Sequence, residues 1–217
     1  SGVTFEDSDQ IMDVLTNTTN SPITITYNFS VNVAGCDDGV VDFTTDVTVN
    51  PNPVLVITNA ATEICSGEAT AITLTSPTDN EQIEVTGITY GSVTGGSVSV
   101  SDIYTDGGTI TETLENATND PIVVVYEFTI TTTDGCPVST TPQTALVEVA
   151  PRPTMSITNV TAPVICSGET TAITLNSTVT DAEIVLESVT NTTGVTGFTS
   201  SGVTFEDSDQ IMDVLTN

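Results

Sequence analysis

The chain has 217 residues, of which 29 are acidic and one, Arg152, is basic, with no Lys and no His. Such a balance repels nucleic acid and anionic lipid and leaves nucleophile–base catalysis without a plausible base. No apolar run approaches the ~20 residues of a membrane helix, and a composition rich in Thr, Val, Ile, Ser and Asn favours strands and turns over long helices.

In chain order, Ile11 and Leu15 lie four apart, which predicts a strand bending into a helical turn; Ile110 and Leu114 repeat that spacing. From Pro22 to Asn32, Ile23, Ile25, Tyr27, Phe29 and Val31 alternate with polar residues, the pattern of a half-buried antiparallel strand. Its second copy places Ile122, Val124, Tyr126, Phe128 and Ile130 inward, and Val123 and Val125 on its other face predict a less exposed surface or a neighbour. Val47 with Val49, and Val147 with Val149, predict closing strands. Leu55 with Ile57, Ile72 with Leu74, and Ile83 with Val85 predict three more, matched by Met155 with Ile157, Ile173 with Leu175, and Ile184 with Leu186.

The layout follows from two nested repeats. Residues 1–17 return letter for letter as 201–217, a period of 200 residues. Inside it, Ile64-Cys65-Ser66-Gly67-Glu68 returns as Ile165-Cys166-Ser167-Gly168-Glu169, and Leu15 to Ile23 share L-x-N-x-T-N-x-P-I with Leu114 to Ile122. Pro51-Asn52-Pro53 and Pro151-Arg152-Pro153 punctuate the chain as stiff linkers. The expected division is the C-terminal half of a module at 1–53, a complete module at 54–153, and the N-terminal half of the next at 154–217. The fold class expected is all-β: tandem Ig-like antiparallel sandwiches of about 100 residues. Any export signal is expected to lie outside this sequence.

Cys65 and Cys136 fall within the complete module. Cys166 and Cys36 of the next copy are matched to them in spacing. One bridge per module is therefore expected. Cys65 would pair with Cys136, while Cys36 and Cys166 would pair with neighbouring repeats outside the fragment. A closed loop of this size contributes roughly 4 kcal/mol in the chain-entropy model and implies an oxidising, exported location. The alternative is buried free thiols. No C-x-x-C occurs, and without His a zinc site is not expected.

The words I-T-N, I-C-S-G-E, T-A-I-T-L, L-x-N-x-T-N-x-P-I and the final G-C resemble the PKD-like, Ig-like repeats of giant bacterial surface proteins. The resemblance spans the whole chain as two modules, although the W-D-F-G-D-G signature of true PKD domains is missing. It implies an extracellular stalk of a cell-surface adhesin or filament and supplies no ligand.

Among functional classes, the repeats point to a structural fibre, with a multivalent glycan- or protein-binding repeat as the alternative and an accessory domain of a secreted hydrolase third. No enzyme activity is expected, because no carboxylate is singled out by an apolar setting. The partners expected are neighbouring repeats of the same polypeptide and laterally associated fibres, with neither nucleic acid nor membrane. Glu6, Asp7 and Asp9, with their copies Glu206, Asp207 and Asp209, are the candidate Ca²⁺ ligands, weighed against a solvated loop; no other cofactor is expected. Asp37-Asp38 and Asp79-Asn80-Glu81 are weaker clusters. Without Lys, intramolecular Lys–Asn crosslinks are excluded.

Overall fold

A computed structural model describes residues 5–31, 43–136, 141–159, 164–179, 181–190 and 192–217. Those residues hold strands and turns and no helix. Strands β1 (Ile23–Phe29) and β2 (Phe43–Val49) form an antiparallel ribbon, with Ile23 opposite Val49 and Phe29 opposite Phe43.

The central unit is an all-β, sandwich-type fold. It contains β3 (Val56–Asn59), β4 (Glu63–Cys65), β5 (Glu68–Ala69), β6 (Ile72–Thr75), β7 (Glu81–Thr89), β8 (Ile103–Tyr104), β9 (Gly108–Ile110), β10 (Thr113–Leu114), β11 (Ile122–Thr132) and β12 (Gln143–Ala150). One sheet has the order β4-β12-β11-β7-β8, a second β3-β6-β9, and β5 pairs with β10. All pairings are antiparallel except β4 with β12.

Alternation sets which face is buried. On β11, Val124, Tyr126, Phe128 and Ile130 point inward beside Ala145, Val147 and Val149 of β12. They meet Ile72, Leu74 and Ile110 from the facing sheet in one continuous core. On the outer face Val123 is exposed and Val125 half-buried. Asn59 donates from Nδ2 to the Leu146 carbonyl (2.7 Å), tying the two sheets along one edge.

The expected helical turn between Ile110 and Leu114 is not formed. The backbone stays extended, and burial alternates through Ile110, Glu112, Leu114 and Asn116. The inward position between the two apolar residues is a glutamate, which hides the period-two pattern.

The third unit holds β13 (Met155–Asn159), β14 (Ile173–Ser177), β15 (Ile184–Val185), β16 (Thr204–Phe205) and β17 (Gln210–Ile211). β13-β14-β17 reproduces the register of β3-β6-β9: Ile173 opposes Ile211 as Ile72 opposes Ile110. A loop conformation recurs with it. Gly95 (φ +90°) and Gly197 (φ +91°) both take the left-handed region, where a Cβ would lie 2.2 Å from the Thr113 carbonyl oxygen and 2.1 Å from that of Val214.

Strand direction defines two poles for the central unit. The chain enters at Val54 beside Thr78, whose Oγ1 accepts from the Val54 amide. It leaves at Ala150, opposite Cys65. We call these the N-terminal and C-terminal poles.

Candidate functional site: open faces, acidic turns and module junctions

The central unit buries one carboxylate. Glu112 sits between Ile110 and Leu114 and accepts hydrogen bonds from Tyr126 Oη (2.6 Å), the Val98 amide (2.6 Å), the Ser97 amide and Tyr90 Oη (2.9 Å). Burial pushes its pKa up, but the bonds from Tyr126, Val98, Ser97 and Tyr90 outweigh that and hold it below the ordinary carboxylate range. Burial raises both tyrosines above their ordinary value, and the Glu112 charge raises them further. Glu112 thus works as a charged peg that fixes residues 90–98 to the core. Asp213 holds the same place in the third unit, accepting from the Thr199 amide (2.8 Å) and Thr199 Oγ1 (2.6 Å).

The candidate Ca²⁺ ligands build turns. Asp9 Oδ2 accepts from the Glu6 amide (2.7 Å), and Ser8 stands at φ 70° between them. In the copy, Asp209 Oδ2 accepts from the Glu206 amide (2.8 Å), and Asp207 Oδ1 accepts from the Ser177 amide (2.7 Å). The central unit makes that last contact with Asp106 and the Ser76 amide. Among the described residues no group of three or more His, Cys, Asp or Glu is disposed to hold a metal ion. Asp37 and Asp38 lie outside the described residues.

The repeated word L-x-N-x-T-N-x-P-I is a structural pin that the sequence reading did not assign. Asn116, buried, donates from Nδ2 to the Asp120 and Val149 carbonyls (2.9 and 2.8 Å), and its Oδ1 accepts from Thr118. Asn17 makes the same contacts with Ser21, Val49 and Thr19. An amide held on both sides fixes the turn before the long strand, which is a physical reason for the word.

The cysteines correct the expected pairing. Cys65 closes β4 opposite Ala150 at the C-terminal pole. Cys136 follows the end of β11 at the N-terminal pole, where the Thr133 amide donates to the Asn80 carbonyl (2.9 Å). The 11 residues of β11 separate the poles by about 33 Å, and a disulfide needs Cα atoms within about 7 Å. The Cys65–Cys136 bond is accordingly not formed: both are free thiols, as is Cys166. Cys36 lies outside the described residues.

Two faces stand open. Ile11, Asp13, Leu15, Tyr27, Phe29 and Val47 line a cleft of about 320 Å³ over the β1–β2 ribbon. Their counterparts Ile110, Glu112, Leu114, Tyr126, Phe128 and Val147 are core residues of the central unit. In the third unit Met155 and Ile157 are exposed where the central unit shelters Leu55 and Ile57. Positions that are core in the central unit thus stand open in both flanking units.

Both flanking units meet the poles of the central one. The Asp79 amide donates to the Asn20 carbonyl (2.9 Å), and Ser21 Oγ donates to the Asp79 carboxylate. At the other end Asn119 lines a cleft with Ser177, Val179 and Glu183. Asn119 is the counterpart of Asn20, so the two junctions are built from equivalent loops. No protein-family model matches the chain, and no curated protein matches it.

Proposed function

We propose that this chain is a stretch of a tandem array that forms the stalk of a secreted, cell-surface fibre or adhesin, providing reach and mechanical stability without catalysis. One observation supports the reading: a central unit with a closed core and its termini at opposite poles meets a flanking unit with an open face at each end, through equivalent loops. Such a unit adds length with every copy. The identity of residues 1–17 with 201–217, at an offset of 200 residues, supplies the period. In this reading 1–53 and 154–217 are completed by neighbouring copies, and the modules are PKD-like, Ig-like sandwiches.

The charge of −28 suits a fibre that must stay soluble and separate from its neighbours. A strand of ten residues spans ~33 Å, so a module adds ~40 Å. Electron microscopy of the native polypeptide tests this directly. Beads spaced at about 40 Å along one strand are expected, and a compact particle of fixed diameter would overturn the stalk. Capture of defined oligosaccharides by one isolated period on a glycan array would instead favour an adhesive repeat.

A further inference from the structure

We infer that the cysteines of the array form disulfides between successive modules, each joining the I-C-S-G-E turn of one module to the cysteine after the long strand of the next. This rests on the tandem-array reading. It assigns Cys166 of one period to Cys136 of the following period; the sequence repeat alone extends the assignment to Cys65 and the following period's Cys36, which lies outside the described residues.

The placement comes from a chain of contacts across one junction. Cys166 sits in a turn fixed by its amide donating to Glu169 Oε2 (2.7 Å), just as the Cys65 amide donates to Glu68 Oε2 (3.0 Å). The next residue, Ser167, accepts at Oγ from the Asn217 amide (2.9 Å). Residue 217 is the repeat of residue 17. Asn17 donates to the Ser21 carbonyl (2.8 Å), Ser21 Oγ donates to Asp79, and the neighbouring Asn80 carbonyl accepts from the Thr133 amide (2.9 Å). Cys136 follows three residues later, its amide donating to Thr132 Oγ1 (3.3 Å). One continuous set of turns therefore runs from the first cysteine to the second over the module boundary. Within a module, by contrast, the two cysteines stand a full strand length apart.

Exposure points the same way. Free cysteine is among the most buried residue types, yet Cys65 and Cys166 are exposed and Cys136 is half-buried. All three stand at the poles, where a neighbouring module arrives. Arg152 adds to the C-terminal pole by donating from Nε to the Ser66 carbonyl (2.8 Å), which fixes the linker against the Cys65 turn. Bond formation oxidises two thiols to one disulfide and releases two protons. The two electrons reduce the disulfide of a thiol–disulfide oxidoreductase in the exporting compartment to a dithiol.

The test is a linkage map of the full native polypeptide, alkylated in acid, cleaved at acidic residues without reduction and read by mass spectrometry. Linked peptides carrying Cys136 with Cys166, and Cys36 with Cys65, are expected. Peptides linking Cys65 to Cys136 or Cys36 to Cys166, or four alkylated thiols throughout, would overturn the assignment. Cys136→Ser in every period of the same polypeptide sharpens it. Cys166 should then become alkylatable while Cys65 stays linked; release of Cys65 would instead restore the bridge within one module. The map reads bond partners whether or not the polypeptide forms a fibre, so the two proposals fail separately.

Discussion

The central unit and the first 53 residues carry nearly the same words and bury them very differently. Val147 is 0% exposed and Val47 40%; Ile110 is 1% exposed and Ile11 40%. The third unit lies between, with Ile211 at 9%. Local pattern sets the strand, as the matching registers of β11–β12 and β1–β2 show. The core requires a facing sheet, which in the central unit is supplied by β3, β6 and β9. Apolar periodicity specifies which side chains seek burial and leaves open what covers them.

The strongest way to break this comparison is to supply the missing half. Extending the chain beyond Asn217 with a copy of residues 18–53 should create a second closed core. A new domain stability of about 5 kcal/mol is expected, read as slowed amide hydrogen exchange at Leu175 and Ile184. Unchanged exchange there would show that the flanking units are not complementary halves.

A single truncation probes the same contrast. Phe128→Ala should cost about 3–5 kcal/mol because it empties a closed core, whereas Phe29→Ala in the open ribbon should cost under ~1 kcal/mol. Chemical denaturation of the two variants decides it, and equal losses would count against the distinction.

Glu112 offers a smaller, pH-dependent contrast. Its folded pKa is depressed, so its stabilisation is fully present above the ordinary glutamate value near 4.3 and is lost as pH falls through the folded value. Glu112→Gln should destabilise the central unit by about 2 kcal/mol at pH 7. The gap between variant and parent should narrow on acidification below about pH 4. A gap that is constant from pH 7 to pH 3 would mean that the carboxylate is not the peg described here.

The smallest expected effect concerns the shared loop. Gly95→Ala places a Cβ against the Thr113 carbonyl in a left-handed backbone and should lower stability by about 1–2 kcal/mol. Gly197→Ala should act less, since its unit has the smaller buried core. Thermal melts of both variants measure the ratio.

Much of the strand inventory was legible in alternation. Ile72 with Leu74, Ile83 with Val85, and the run from Ile122 to Ile130 fall on strands with the expected inward faces. Two features were not legible, for physical reasons. Glu112 is charged, so a hydrophobicity pattern cannot show that its carboxylate is buried among donors brought from residues 90–98 and 126. The cysteine spacing counts residues, whereas the geometry depends on how often the chain reverses. From Cys65 the strands turn back repeatedly before β11 delivers Cys136 to the far pole. The acidic clusters were legible as turns only in part, because a carboxylate accepting from its own backbone looks, in sequence, like one awaiting a cation.

The parallel pairing of β4 with β12 gives the unit a mechanical character. Their bonds, from the Glu148 amide to the Thr62 carbonyl and from the Ser66 amide to the Ala150 carbonyl (both 2.8 Å), lie across the line joining the two poles. Tension applied through Val54 and Pro151 slides the two strands past each other in shear. The rungs then share the load and must rupture together, whereas strands peeled from one end would release them singly.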